Sequence, residues 1–257
     1  MKIWLRTGIF VFVCGIFLFT TGVLAGPPYI TDDPEPVEYR HWEVYIASLM
    51  NHSDGLWNGT APHVEVNYGA ITNLQLHVIA PLEISAPTDG TTYYGYGDTE
   101  LGIKYRFIEE KKYIPQVGVF PLLEVPTGDE KKGLGTGHLQ AFLPVWLQKS
   151  WGKWTTYGGG GYWIHPGHGN RDWWYAGALL QRQVLSNLAV GGELYRETAQ
   201  TTDSRPGTLF NLGAVYDLSD NHHLMFSAGH SLQGPSAFQF YLAFQFTFGP
   251  EEKGKEK

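Results

Sequence analysis

"FQFYLAFQFTF", residues 238–248, places an apolar side chain at every second position. Phe238, Phe240, Leu242, Phe244, Phe246 and Phe248 fall on one face of an extended chain. Gln239, Tyr241, Ala243, Gln245 and Thr247 fall on the other. A period of two is the period of a β-strand. The oily face needs something to lie against, yet only the charged tail "GPEEKGKEK" follows it. It can face the core of a soluble β-sandwich or lipocalin-like barrel, or it can face lipid.

The same period recurs upstream in segments of roughly ten residues, the length that a tilted membrane strand requires. "HWEVYIASLM" (41–50), "PHVEVNYGA" (62–70), "TNLQLHVIAPLEI" (72–84) and "TELGIKYRFI" (99–108) open the series. "IPQVGVFPLLEVP" (114–126), "HLQAFLPVWLQKS" (138–150), "WTTYGGGGYWIH" (154–165) and "WWYAGALLQRQV" (173–184) continue it. "LAVGGELYRET" (188–198), "TLFNLGAVYDL" (208–218), "HHLMFSAGHSL" (222–232) and the opening stretch close it. The total is about twelve, an even number that brings both ends of the chain to the same side.

The connections alternate in length. "NHSDGLWNGTA", "SAPTDGTTYYGYGD", "TGDEKKGLGTG", "PGHGNRD" and "AQTTDSRPG" are long, whereas "AIT", "EEKKY", "SWGK", "LSN" and "LSDN" are tight. Long outer loops and short periplasmic turns are the asymmetry of bacterial outer-membrane barrels. A sandwich has no reason for it. The sequence therefore predicts an all-β fold, an antiparallel transmembrane β-barrel of about twelve strands over residues 41–248. Lipid then covers the oily face of residues 238–248.

The ends of the chain fit an exported protein. Residues 1–25 combine Lys2 and Arg6 with an apolar run from Gly8 to Leu24, followed by Val23-Leu24-Ala25. That is the pattern of a signal peptide, and it places the mature start at Gly26. The lone Cys14 leaves with this segment, so the mature chain holds no disulfide and no cysteine metal site. Loss of Lys2 and Arg6 takes the formal net charge from −7 to about −9. No basic block remains to hold nucleic acid. Residues 26–40, "GPPYITDDPEPVEYR", are rich in proline and acid and are expected as an irregular periplasmic lead-in. Residues 249–257 are expected as a short charged tail on the same side.

Alternation also sorts the candidate chemistry. His63, Glu65, Asn67, Gln75, His77, Glu100, Lys104, Arg106, Gln140 and Glu193 fall on the predicted inner face. They can form a hydrogen-bonded network that stiffens the wall, or they can line a selective passage. Because Lys104 and Arg106 project inward from one strand, their neutralisation is expected to shift ion selectivity toward cations. Tyr94, Tyr96, Trp163 and Trp173 gather near the outer mouth. They can stack on aromatic solutes or serve as an interfacial girdle.

Catalytic and cofactor patterns are weak. Ser227 and His230 share a strand but stand on opposite faces, so no serine–histidine pair forms on one strand. His165, His168 and Asp172 share a loop without the spacing of a zinc site. "YGGGGYW" lacks the lysine of a phosphate loop. No catalytic residue, cofactor or metal is assigned, and the chain is not expected to be an enzyme.

Several stretches carry a family resemblance. "PPYITDDPEPVEYRHWEVYIAS", "LLEVPTGDEKKGLGTGHLQAFLPVWLQKSWGKWTTYGGGGYWIHPG", "WWYAGALLQRQV" and "FNLGAVYDLSDNHHLMFSAG" resemble the family named "putative MetA-pathway of phenol degradation". The resemblance implies an outer-membrane barrel of transporter type in a Gram-negative bacterium. Its expected function is a passive channel for small molecules, aromatic or hydrophobic ones among them. A plugged structural barrel or an outer-membrane lipid-modifying enzyme is the alternative. The expected partners are the lipid bilayer, a small-molecule solute and the outer-membrane insertion machinery, which reads a terminal aromatic residue, here Phe248. The tail after Phe248 departs from that signal, and oligomeric state is left open.

Overall fold

A barrel wall gives every strand one lipid face and one lumen face, so each period-two segment becomes a strand. The computed structural model describes residues 27–250. The signal segment, Cys14, Gly26 and most of the charged tail lie outside the described residues. Strands β1 (Trp42–Ser53), β2 (Leu56–Ile71) and β3 (Leu74–Pro87) come first. Strand β4 has two parts, Tyr93–Tyr96 and Thr99–Ile108, which pair along one edge of β3 across a bulge. Strand β5 is likewise Gln116–Val119 plus Leu122–Val125, interrupted at Phe120 and Pro121. Then follow β6 (Gln140–Trp151), β7 (Trp154–Ile164), β8 (Trp173–Leu185), β9 (Leu188–Glu197), β10 (Gly207–Ser219), β11 (His222–Gln233) and β12 (Ala237–Phe248). Each strand pairs antiparallel with the next. β1 pairs with β12 from Trp42↔Phe248 to Ser53↔Ala237 and closes the sheet into a twelve-stranded barrel.

The two faces differ as the alternation requires. Ile46, Leu194, Leu212 and Leu242 are each about half exposed or more and form part of the apolar outer band. Their neighbours Tyr45, Tyr195, Asn211 and Tyr241 are buried inside. Burial inside the barrel comes from side chains meeting across the lumen. One cluster joins Tyr45, Ala47, Ala189, Val215, Met225, Tyr241 and Ala243.

The first outer connection is tighter than expected. "NHSDGLWNGTA" is not a loop, because β1 and β2 continue to the Ser53↔Leu56 pair. The turn is Asp54-Gly55, with φ of 49° and 76°. Positive φ at both central residues matches the right-handed twist of a hairpin, and glycine adopts it without strain.

Candidate functional site

The expected periplasmic lead-in is instead a strap inside the barrel. Residues 27–41 enter from the short-turn side, cross the lumen and return. Thr31 and Asp33 have no exposed surface. The backbone N–H groups of Ile30 and Thr31 donate to the two carboxylate oxygens of Glu193, at 2.9 and 2.7 Å. Ser227 donates to the carbonyl of Pro28. Asp32 meets Lys104 Nζ at 2.9 Å, and Asp33 lies 3.6 Å from the same ammonium. Glu35 accepts from Gln116 at 3.1 Å and Gln148 at 3.0 Å, with Arg106 at 3.7 Å. Val37 N–H donates to Gln75 Oε1 at 2.9 Å, and Arg40 N–H donates to Gly69 O at 2.7 Å.

Proline and acid do exclude regular structure locally, and the strap has none. Buried acids without partners are costly, however, and these find theirs on the wall. Burial pushes the Asp33 carboxyl well above the usual carboxylate range, against the pull of Lys104. The wall is also shaped to the strap. A side chain at Gly177 would collide with Thr31 Oγ1, and one at Gly69 with Glu38 O.

All ten inner-face candidates stand in the interior, as one network, two local pairs and a set that holds the strap. His77 Nδ1 bonds Asn67 Oδ1 at 2.7 Å and its Nε2 bonds Glu100 Oε1 at 2.8 Å. Asn67 Nδ2 donates to Glu65 Oε1 at 2.7 Å. His63 pairs locally with Thr60 Oγ1, and Gln140 Nε2 donates to Glu124 Oε2 at 2.6 Å. Gln75, Lys104, Arg106 and Glu193 hold the strap. Lys104 and Arg106 are therefore not free lumen charges, and their neutralisation would loosen the strap as well as alter the field.

The four outer-mouth aromatics separate. Trp163 and Trp173 face inward. Phe142 stacks on Trp163 at 4.8 Å, and Trp163 stacks on Trp173 at 5.5 Å. Trp146, Tyr175 and Tyr195 extend this surface downward, with Tyr175–Tyr195 stacked at 5.7 Å. Tyr94 and Tyr96 instead pair with outward-facing Ile84 and Leu82, so they belong to the outer face. Trp174 is 60% exposed there and packs on Tyr162. The glycine run in β7 hides the parity of Trp163, whereas Phe142 and Trp146 share the face of Gln140 and Tyr195 that of Glu193, a signal present in the sequence.

The strap lies between two vestibules. The inner one, 340 Å³, brings Asp32, Glu35, Glu38, Glu43, Glu65 and Asp220 around Lys104. The outer one, 420 Å³, is bounded by the outer ends of β1 and β2, the β9–β10 loop and the start of β12. The sequence reading missed the strap's role. One signal was present: "TDDPE" carries an excess of acid, and Lys104 and Arg106 are inward cations in need of it.

The weaker patterns are placed as follows. Ser227 is buried and bonded to the strap, while His230 is exposed on the opposite face. His165 N–H donates to Asp172 Oδ1 at 2.8 Å, and Tyr162 OH donates to Asp172 Oδ2 at 3.0 Å. Among the described residues no group of three or more His, Cys, Asp or Glu is arranged to hold a metal ion. Phe248 lies on the outer face and stacks on Trp42 at 6.3 Å.

Solved structures share this architecture. An outer-membrane channel from Pseudomonas putida F1 superposes with a TM-score of 0.65 at 17% identity, over 88% of this chain and all of that one. The KdgM porin, solved in complex with disordered oligogalacturonate, gives 0.55 at 11% identity, over 79% of this chain and 99% of its own. The translocator domain of the autotransporter NalP from Neisseria meningitidis gives 0.54 at 11% identity, over 81% of this chain and 88% of its own. At these identities the likeness is one of fold. It is the fold of bacterial outer-membrane barrels, which places this chain in that membrane. A leucine–tRNA ligase from Hamiltonella defensa is 26% identical over 161 residues. The chain spans only 16% of that protein, so the match carries no activity to it. The model of the family described as "Putative MetA-pathway of phenol degradation" matches residues 57–248, well over half of the chain. The chain is an outer-membrane barrel and belongs to that family.

Proposed function

We propose that this barrel is a passive channel that carries small molecules, aromatic or hydrophobic ones among them, across the outer membrane. The observation that carries this reading is the stacked, partly exposed pair Trp163 and Trp173 on the lumen face at the outer mouth, backed by the buried rings of Phe142, Trp146 and Tyr175. Flat rings with few torsions offer stacking area at little entropic cost, and a buried aromatic layer behind them holds Trp163 and Trp173 in place. Diffusion along such a wall needs no nucleotide. The shared fold with channels and porins supports a conduit role over a catalytic one. Purified protein in planar bilayers and in liposomes tests this. Ion conductance and faster uptake of a phenolic tracer are expected. A silent bilayer together with unchanged uptake would sink the proposal.

One observation favours a second reading, the plugged structural barrel: the strap crosses the lumen on bonds to several strands. A strap-deleted variant separates the two. Conductance in the variant alone assigns the strap as a plug. Conductance in both places the path beside the strap. Phe248 is proposed as the residue read by the insertion machinery, and Phe248→Ala is expected to slow assembly in the cell without altering the folded barrel.

A further inference from the structure

The outer vestibule has a chemistry unlike that of the aromatic wall. Its lining sets carboxamides, those of Asn51, Asn58, Gln200 and Gln239, and serine and threonine hydroxyls from the β1–β2 hairpin and the β9–β10 loop beside an apolar part that includes Tyr195, Leu209 and Phe238. Its ionisable groups nearly cancel, Asp54 and Glu197 against Arg205. Trp163 and Trp173 do not line it. Carboxamides and hydroxyls each donate and accept, so they match a ligand whose own groups do both. A bare hydrocarbon would cover the Asn58 carboxamide without a partner, and an anion would find one cation against two carboxylates.

The lining is also held in place before any ligand arrives. Gln239 Nε2 donates to Asn51 Oδ1 at 2.7 Å. Gln239 Oε1 accepts from Asn211 at 3.0 Å and from Tyr195 OH at 3.3 Å, so both ends of this amide are fixed. In the facing loop, Ser204 Oγ accepts from the N–H groups of Gln200 and Thr201, at 3.0 and 2.9 Å. Gln200 O accepts from Arg171 N–H at 2.9 Å, and Thr202 N–H donates to Gly169 O at 2.8 Å, which pins the loop to its neighbour. Groups fixed in advance lose less entropy when a ligand binds. The volume of 420 Å³ lies within the range of about 300–1,000 Å³ typical of small-molecule sites.

We infer that the outer vestibule is a binding site for a small, neutral, polyhydroxylated solute of about monosaccharide size. The site rests on the reading of the barrel as a passage, because such a solute would be met there on its way inward. It adjoins the aromatic cluster at Tyr195, whose hydroxyl donates to Gln239, so one barrel presents a stacking surface and a hydrogen-bonding surface side by side.

Calorimetric titration of the full mature protein in detergent tests the inference, with glucose and sorbitol, gluconate, and toluene as probes. Saturable binding of glucose and sorbitol is expected, weaker binding of gluconate, and no displacement of glucose by toluene. Asn58→Leu combined with Gln200→Leu is expected to weaken glucose binding about tenfold. Lys132→Gln, which lies outside the vestibule lining, is expected to leave it unchanged. Heat-modifiable mobility on gels checks that each variant is a folded barrel, and Asn58→Leu alone serves if the double variant is not. Absent glucose saturation, displacement by toluene, or tighter binding of gluconate than glucose would each overturn the assignment. Silent bilayers with glucose binding intact would remove the channel reading and leave the site standing.

Discussion

The last strand and the strap are both terminal segments of one barrel, yet they hold their places by opposite means. Strand β12 repeats a two-residue period, pairs along its length with β1 and β11, and turns phenylalanines toward lipid. Almost any large apolar residue satisfies that face, because lipid has no fixed shape. The strap has no period and no ladder. Ile30, Thr31, Asp32, Glu35 and Val37 each meet particular wall groups, and Gly177 leaves space where Thr31 sits. A periodic segment is placed by solvent, and an aperiodic one by complementarity.

Substitutions can break this contrast. Lys104→Met should do the most damage, because it leaves Asp32 and Asp33 inside the barrel without their ammonium. Loss of one partner from a buried pair costs about 3–5 kcal/mol. Refolding titrations in urea should record that loss, and limited proteolysis should cut the strap first. Cleavage elsewhere before the strap would mean that Lys104 supports the wall rather than the strap.

Leu242→Arg on the lipid face of β12 comes next. An arginine near the bilayer midplane costs about 2–4 kcal/mol. A loss well below that would place Leu242 away from the hydrocarbon centre.

Gly177→Ala should cost about 1–3 kcal/mol by overpacking against Thr31 and Tyr175. Removing the obstructing hydroxyls with Thr31→Ala and Tyr175→Phe should recover part of it. Failure to recover would show that the glycine serves the wall and not the strap.

Gln245 sharpens the comparison within β12 itself. By alternation alone it is a lumen position that tolerates a polar exchange. In the fold it is fully buried, and its Nε2 donates to Tyr45 OH at 2.7 Å. Gln245→Ala should therefore cost about 1–2 kcal/mol, with Tyr45→Phe removing most of the difference between the two backgrounds. The smallest effect belongs to the exposed pair Asp129–Lys132, 2.8 Å apart in an outer loop. Lys132→Ala should leave the refolding midpoint where it is. A shift would mean that this loop packs on the barrel.

The sequence by itself determined the central part of each strand, the faces of those parts and the membrane they cross, but not the outer ends of β1 to β4, which it read as loops. Alternation at Leu74, Leu76 and Val78 or at Leu242, Phe244 and Phe246 reports orientation directly, because successive side chains of a strand point oppositely. The ten inner-face polar residues were legible for the same reason. Where the period is interrupted, legibility falls. The Asp54-Gly55 turn was present as a dipeptide, yet the polar residues around it read as a loop. The glycines of β7 carry no side chain to show a face, which left Trp163 between girdle and lumen. Only the tertiary structure decided that residues 27–41 occupy the lumen, that Lys104 and Arg106 are paired, and that one vestibule lined largely by amides and hydroxyls and another lined by acids lie at the two ends of the lumen. Those facts depend on which groups meet across a closed wall, at separations in sequence such as 162 residues for Thr31 and Glu193. No local pattern records such a meeting, because it exists only once the first and last strands have closed the barrel.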